Sequence, residues 1–200
     1  MTQVFAAIKA GKAVLVADAD TREGEVDVVF AAGHATESLM AWTVRHTSGY
    51  ICVPMPADRA DALGLPLMVA HNEDPRRTAY TVSVDAAAGI TTGISAGDRA
   101  ASCRVLADPA TQPGDLIRPG HVLPLRAHAG GVFARPGHTE AAVDIVRLSG
   151  AGQVAVICEV VRDDGRMMRA HDARQFATAQ GLEFCTIEEL ITWRRLHDPL

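Results

Sequence analysis

The tetrapeptide Arg-Pro-Gly-His occurs twice, at 118–121 and 135–138, and each copy ends in a histidine delivered by a Pro-Gly turn. A neutral imidazole presented in this way can ligate a metal or move a proton. His138 stands where a glycine turn enters an expected helix, and free backbone N–H groups and the helix dipole suit such an end to an anion. Gly137 allows close backbone approach, Arg135 offers a planar fork for phosphate oxygens, and Thr139 adds a hydroxyl. A plain helix cap with a surface arginine is the simpler alternative for this stretch alone. Far upstream, Ala17–Asp27 (ADADTREGEVD) crowds five carboxylates and one arginine into eleven positions between two apolar runs. Taken alone, that loop reads most simply as a solvated turn.

Two polar residues interrupt apolar, strand-like runs: Glu159 in VAVICEVV (154–161) and His121 at the head of HVLPLRA (121–127). A glutamate buried there without a partner would keep its proton to higher pH, which suits general acid/base work. A salt bridge to one of the arginines is the alternative. His121, His138 and Glu159 are together expected to share a polar pocket. In TTGISAGDR (91–99), Thr91, Thr92 and Ser95 supply hydroxyls at a second helix entry, where Ser95 is a natural cap. Cys52 follows a Ser-Gly turn in RHTSGYICV and, alone, reads as core.

The elements that must position these groups alternate along the chain. Helices are expected over 2–10, 36–46 (capped by Thr36), 57–63, the segment after Ser95, 138–149, near 172–180, and after Thr186, whose spacing to Glu189 is that of a capping box. Strands are expected at 13–17, 26–32, 50–55, 80–86, 121–127, 154–161 and the EFCTI stretch. The 154–161 run is apolar on both parities, as a strand covered on both faces is. On the 138–149 helix, Ala141, Ala142, Ile145 and Leu148 form an apolar stripe opposite Glu140, Asp144 and Arg147. HNEDPRRTA (71–79) is a polar loop with the character of a lid, and 108–121 a long irregular connection.

Composition narrows the function classes. The 200 residues are 48% hydrophobic and 22% charged with a formal charge of −5, which gives no general pull toward nucleic acid or anionic membranes. Aromatics are only 4%, too few for a base-stacking platform. The four cysteines (Cys52, Cys103, Cys158 and Cys185) form no C-x-x-C pair, so structural zinc is not indicated. The N-terminus lacks the features of a signal peptide and no apolar run spans a bilayer, so a cytoplasmic protein is expected. No composition break or repeat divides the chain, and one α/β domain is the expectation.

The acidic loop, RHTSGYICVPM, YTVSVDAAAGITTGISAGDRA, RPGHVLPLRAHAGGVFARPGHTEAAVD and VICEVVRDDGRMMR follow one another in this order. Together they resemble the 3,4-dihydroxy-2-butanone 4-phosphate synthase family of riboflavin biosynthesis, in its stand-alone form without a GTP cyclohydrolase II domain. The resemblance implies an α/β (α+β) mixed sheet flanked by helices, in a single domain over 1–200. It also implies a homodimer with the site near the subunit interface. The implied reaction converts ribulose 5-phosphate to 3,4-dihydroxy-2-butanone 4-phosphate and formate with magnesium, manganese being the alternative metal. By position in the matching motifs, Glu23 and His138 would be the metal ligands. Arg22, Glu23, Asp27, Thr92, Arg135, Pro136, Gly137, His138, Thr139 and Glu159 would hold substrate. His121 and Glu159 match positions essential for catalysis, Cys52 a pocket-lining cysteine, and Asp18 and Asp20 acids of a flexible loop, with Cys52 and Asp20 counted among the catalytic candidates. Ala19 and Thr21 stand where acids are common in that family. A divergent paralogue acting on another sugar phosphate and a non-catalytic phosphosugar-binding protein are the rival functions.

Overall fold

A computed structural model describes residues 1–198. Seven strands form one mixed sheet: β1 (Val14–Ala17), β2 (Val26–Ala31), β3 (Cys52–Pro56), β4 (Val84–Ala86), β5 (Leu116–Ala127), β6 (Ala155–Glu159) and β7 (Glu183–Thr186). Their spatial order is β4-β5-β3-β6-β2-β1-β7. The helices are α1 (Thr2–Lys9), α2 (Glu37–His46), α3 (Ala57–Ala62), α4 (Ala96–Ala107), α5 (His138–Ser149), α6 (Ala170–Gln180) and α7 (Ile187–His197).

Strand parity divides the core into two layers, because successive side chains point to opposite faces. Leu15, Val28, Phe30, Val53, Val156 and Cys158 pack on one face against Met40 of α2, Cys103 and Leu106 of α4 and Ala173 of α6. Val14, Val16, Val29, Ala155 and Ile157 pack on the other against Ile8 of α1, Ile145 and Val146 of α5 and Leu190 of α7. β6 is therefore covered on both sides, as its double apolar parity requires, and so are β1 and β2. Caps sit where their sequences place them: Thr36 Oγ1 accepts from Leu39 N, Ser95 Oγ from Asp98 N, and Thr186 and Glu189 exchange the two bonds of a capping box.

Two strand boundaries differ from expectation, and the polar side of α5 is covered. Glu140 and Asp144 are buried beneath the 128–135 segment and α7. Glu140 accepts from His128 N (3.0 Å) and Arg135 Nη1 (2.7 Å), and Asp144 from Val132 N (2.9 Å) and Arg194 Nη1 (2.7 Å). Regular strand in the 80–86 run is confined to Val84–Ala86, while Tyr80 and Thr81 make isolated bridges to Leu125 and Leu67. The long 108–121 connection ends early, because β5 begins at Leu116 and carries the first Arg-Pro-Gly-His copy as an irregularity. Val84 pairs with Val122 but Asp85 with Ile117, so Arg118–His121 bulges out of the ladder. Gly120 permits this, since a Cβ there would run into the Val84 backbone.

Candidate active site

A cleft of about 250 Å³ opens on the α5 face of the sheet, where the end of β6, the starts of β2 and β3, the acidic loop and the start of α5 meet. Asp27 lies directly across the ladder from Glu159, and Cys52 across from Ile157. Sheet register thus brings together two carboxylates that are 132 positions apart in the chain, and shared parity turns both into the cleft.

The acidic loop is folded by its own first acid. Asp18 Oδ1 accepts from Glu25 N at 2.9 Å, while Oδ2 accepts from Glu23 N (3.2 Å) and Arg22 Nη1 (2.9 Å). Asp18, Glu23 and His138 each offer a ligand atom within 4.8 Å of the others. Asp18 commits both oxygens to the loop, and Glu23 Oε2 accepts from Arg22 Nη1 at 2.6 Å.

His138 is buried, and its Nε2 lies 3.0 Å from the Val16 carbonyl oxygen. A carbonyl can only accept, so Nε2 carries the proton and the lone pair resides on Nδ1. That nitrogen faces Glu23 Oε2 and Asp27 Oδ1, each at 3.9 Å. Burial holds the imidazole below its ordinary value, outweighing the nearby Asp18 and Glu23 charges, which keeps Nδ1 available as a ligand. Asp27 Oδ1 is buried with no hydrogen-bond partner. Burial, then the Glu159 and Glu25 charges, push the Asp27 carboxyl well up, and burial and Glu23 raise Glu25. A cluster with an orphaned carboxylate oxygen and an unprotonated imidazole nitrogen has the donor set of a hard divalent cation.

Beside it lies an anion site. Gly137 caps α5, and a Cβ there would sit 2.6 Å from Arg135 Nη1 and 2.8 Å from Arg22 Nη2. The missing side chain lets two guanidinium groups close on a helix N-terminus. Arg135 is more constrained than a free fork: it binds Glu140, the Arg76 carbonyl (3.1 Å) and Thr78 Oγ1 (3.2 Å). Thr139, at the second helical position, also lines the cleft.

Not every sequence candidate converges here. Arg22, Glu23, Asp27, Cys52, Arg135, His138, Thr139 and Glu159 line the cleft, Gly137 shapes its edge, and Pro136, Asp20 and Thr92 are not among its walls. Burial pushes the Cys52 thiol well up, so it contributes a neutral wall. Glu159 is half-buried rather than buried, and it is not partnerless, since Ser48 Oγ donates to its Oε2 at 2.5 Å. The expected pocket shared by His121, His138 and Glu159 does not form within one chain. His121, on its bulge, instead holds Asp85, with backbone N to Oδ1 at 2.8 Å and Nδ1 to Oδ2 at 2.7 Å, and its ring is 41% exposed. Glu25, Asp74, Arg76, Thr78 and Tyr80 line the cleft without having been singled out. Three of them belong to the polar 71–79 loop, whose length and polarity were the available signal. Arg76 Nε reaches Glu23 Oε1 at 3.4 Å and its Nη2 donates to the Arg22 carbonyl, so the two loops meet over the cleft.

The α/β scaffold thus sets an oxygen-and-imidazole donor cluster beside a basic helix end, the arrangement of a metal-dependent enzyme class. Residues 2–193 match the 3,4-dihydroxy-2-butanone 4-phosphate synthase family. The riboflavin biosynthesis protein RibBA of Nocardia farcinica is 55% identical over 98% of this chain and 48% of its own length, and that of Salinispora arenicola 54% identical over 96% and 46%. The chain thus spans about half the length of these curated relatives. A crystal structure of 3,4-dihydroxy-2-butanone 4-phosphate synthase in complex with two magnesium ions superposes with a TM-score of 0.95 at 50% identity, covering 99% of this chain and 97% of that one. RibBX, a two-domain 3,4-dihydroxy-2-butanone 4-phosphate synthase from A. baumannii, gives 0.94 at 38% identity, covering 98% and 58%. The chain belongs to the 3,4-dihydroxy-2-butanone 4-phosphate synthase family.

Proposed function

We propose that residues 1–200 form one synthase-like domain that converts D-ribulose 5-phosphate to L-3,4-dihydroxy-2-butanone 4-phosphate and formate in riboflavin biosynthesis, with magnesium or manganese as the metal. The observation that carries this reading is His138. Its Nδ1 lone pair is fixed toward Glu23 and Asp27, one residue from a helix end flanked by two arginines. Glu23 and His138 would hold the cation, and the orphaned Asp27 oxygen completes a donor set suited to it. Such an ion, when bound, supplies positive charge to sugar oxygens that become anionic.

The chain's own groups perform the rest. Arg22, Arg135 and the first amides of α5 bind the phosphate and fix the sugar's direction. Glu159, oriented by Ser48, takes and returns protons at the sugar carbon and hydroxyls above it. The acidic loop and the 71–79 loop exclude water, an arrangement supported by the Arg76 contacts to Glu23 and Arg22.

His121 serves the cleft of a second copy in this reading. This reading places the enzyme in the cytoplasm, and two features favour a homodimer with the site near its interface. His121, its ring 41% exposed against the buried Asp85, does not line its own chain's cleft, and exposed Tyr50, Leu67, Met68 and Val69 adjoin Tyr80 at the cleft wall. Among the described residues no helix is long and apolar enough to cross a membrane.

Formate release from ribulose 5-phosphate tests the proposal. Formate is expected with magnesium and is abolished by EDTA and by Glu23→Gln. Folded, magnesium-supplied protein that releases none would overturn it.

A further inference from the structure

The segment Val161–Arg169 (VRDDGRMMR) contributes no group to the cleft, yet it leads to a contact that the site depends on. It folds back through a turn, with Arg162 N donating to Arg166 O at 2.8 Å and Met168 N to Val160 O at 2.9 Å. The return strands Arg169 at the N-cap of α6 with extended backbone. From there Arg169 Nη1 donates to the carbonyl oxygens of both Glu23 and Gly24, each at 2.7 Å.

These two carbonyls lie on the edge of the loop opposite its amides, because the Glu23 and Glu25 N–H groups donate inward to Asp18. The turn requires Gly24 to be left-handed (φ +64°), and a Cβ on Gly24 would lie 2.8 Å from Arg169 Nη1. The acidic loop is thus clamped from both edges: a carboxylate gathers its N–H groups and a guanidinium gathers its C=O groups. Glu23 lies between the two grips, which fix its backbone and hence where its side chain starts, while Arg22 Nη1 (2.6 Å) and Arg76 Nε (3.4 Å) meet its carboxylate.

We propose that Arg169 is a positioning residue that holds the Glu23 carboxylate toward His138 and so sets divalent-metal affinity. This rests on the reading of Glu23 and His138 as metal ligands. The Arg169 side chain is exposed while its neighbours Met168 and Ala170 anchor the segment to the core, so its truncation leaves the fold intact while freeing the loop. A group that orients a ligand without touching the ion typically changes metal affinity by about 10- to 100-fold.

The test titrates Mn²⁺ into the whole protein by electron paramagnetic resonance, in wild type, Arg169→Ala, Arg169→Lys and Glu23→Gln, alongside amide hydrogen exchange of residues 19–25. Arg169→Ala should weaken Mn²⁺ binding about 10- to 100-fold and speed exchange at the Glu23 and Glu25 amides, with an unchanged melting temperature. Arg169→Lys, whose ammonium can still donate to two carbonyls, should recover most of the affinity. If Glu23→Gln abolishes binding while Arg169→Ala binds as wild type does, the clamp is wrong and the metal site stands. If Glu23→Gln binds Mn²⁺ as tightly as wild type, the metal site is wrong and the clamp falls with it.

Discussion

A backbone carbonyl decides what His138 can do. Because Val16 O accepts a hydrogen bond from Nε2–H, Nδ1 is left as a lone pair facing carboxylates, and burial favours the neutral ring. Glu159 shows the same dependence on a neighbour: Ser48 Oγ holds its Oε2 at 2.5 Å and itself accepts from Tyr50 N at 3.1 Å. Hydrogen bonds to charged groups contribute about 1.5–3 kcal/mol, so Ser48→Ala is expected to lower kcat about 10- to 100-fold with little change in KM. Steady-state kinetics with formate as readout would check this, and an unchanged kcat would show that Glu159 needs no such support. Ser48 was not legible as functional, because nothing in HTSGY says that its hydroxyl points across the sheet to a residue 111 positions later.

At the scale of elements, α5 links the core to the site: Ile145 anchors it to the sheet while its first turn carries His138 and Thr139. Ile145→Ala should destabilise the protein by about 2–5 kcal/mol in chemical denaturation, as expected for emptying a packed core position. The start of α4 carries a pH signature. Asp98 accepts from Thr91 Oγ1 (2.7 Å), Thr91 N (3.0 Å) and Gly93 N (3.0 Å), and these bonds, the Thr91 hydroxyl first, hold its carboxyl at about 2 instead of 3.8. The folded value lies below the unfolded one. Stabilisation is therefore complete above about pH 4 and lost as pH falls toward about 2. Denaturation between pH 4 and 2 should steepen in wild type relative to Asp98→Asn; parallel curves would refute the assignment.

These elements also mark what the sequence could express. Caps at Thr36, Ser95 and Thr186 were legible because capping acts over three residues. The double parity of β6 announced burial on both faces. The bulge at Arg118–His121 and the burial of Glu140 were hidden, since both arise from distant backbone packing against the segment concerned. The two Arg-Pro-Gly-His copies look alike in sequence and differ in the fold: one enters a helix at the cleft, the other bulges within β5 and lines none of the cleft. Motif resemblance identified the family, but it could not say which of its residues meet within a single chain.

For the whole molecule, the separation of His121 from Glu159 makes a prediction about assembly. If each site takes Glu159 from one copy and His121 from the other, two inactive variants repair one another. In a two-fold dimer, mixing His121→Ala with Glu159→Ala by subunit exchange should restore about a quarter of wild-type activity, because half the dimers are mixed and each has one intact site. No recovery after demonstrated exchange would place both groups in the same copy's site. The most direct test of the central claim follows the carbon skeleton. Ribulose 5-phosphate labelled with ¹³C at carbon 4 is incubated with the magnesium-supplied protein and followed by NMR. The label is expected to leave as formate in wild type and to stay in the sugar with Glu23→Gln. Formate carrying no label, or labelled formate produced equally well by Glu23→Gln, would contradict that claim.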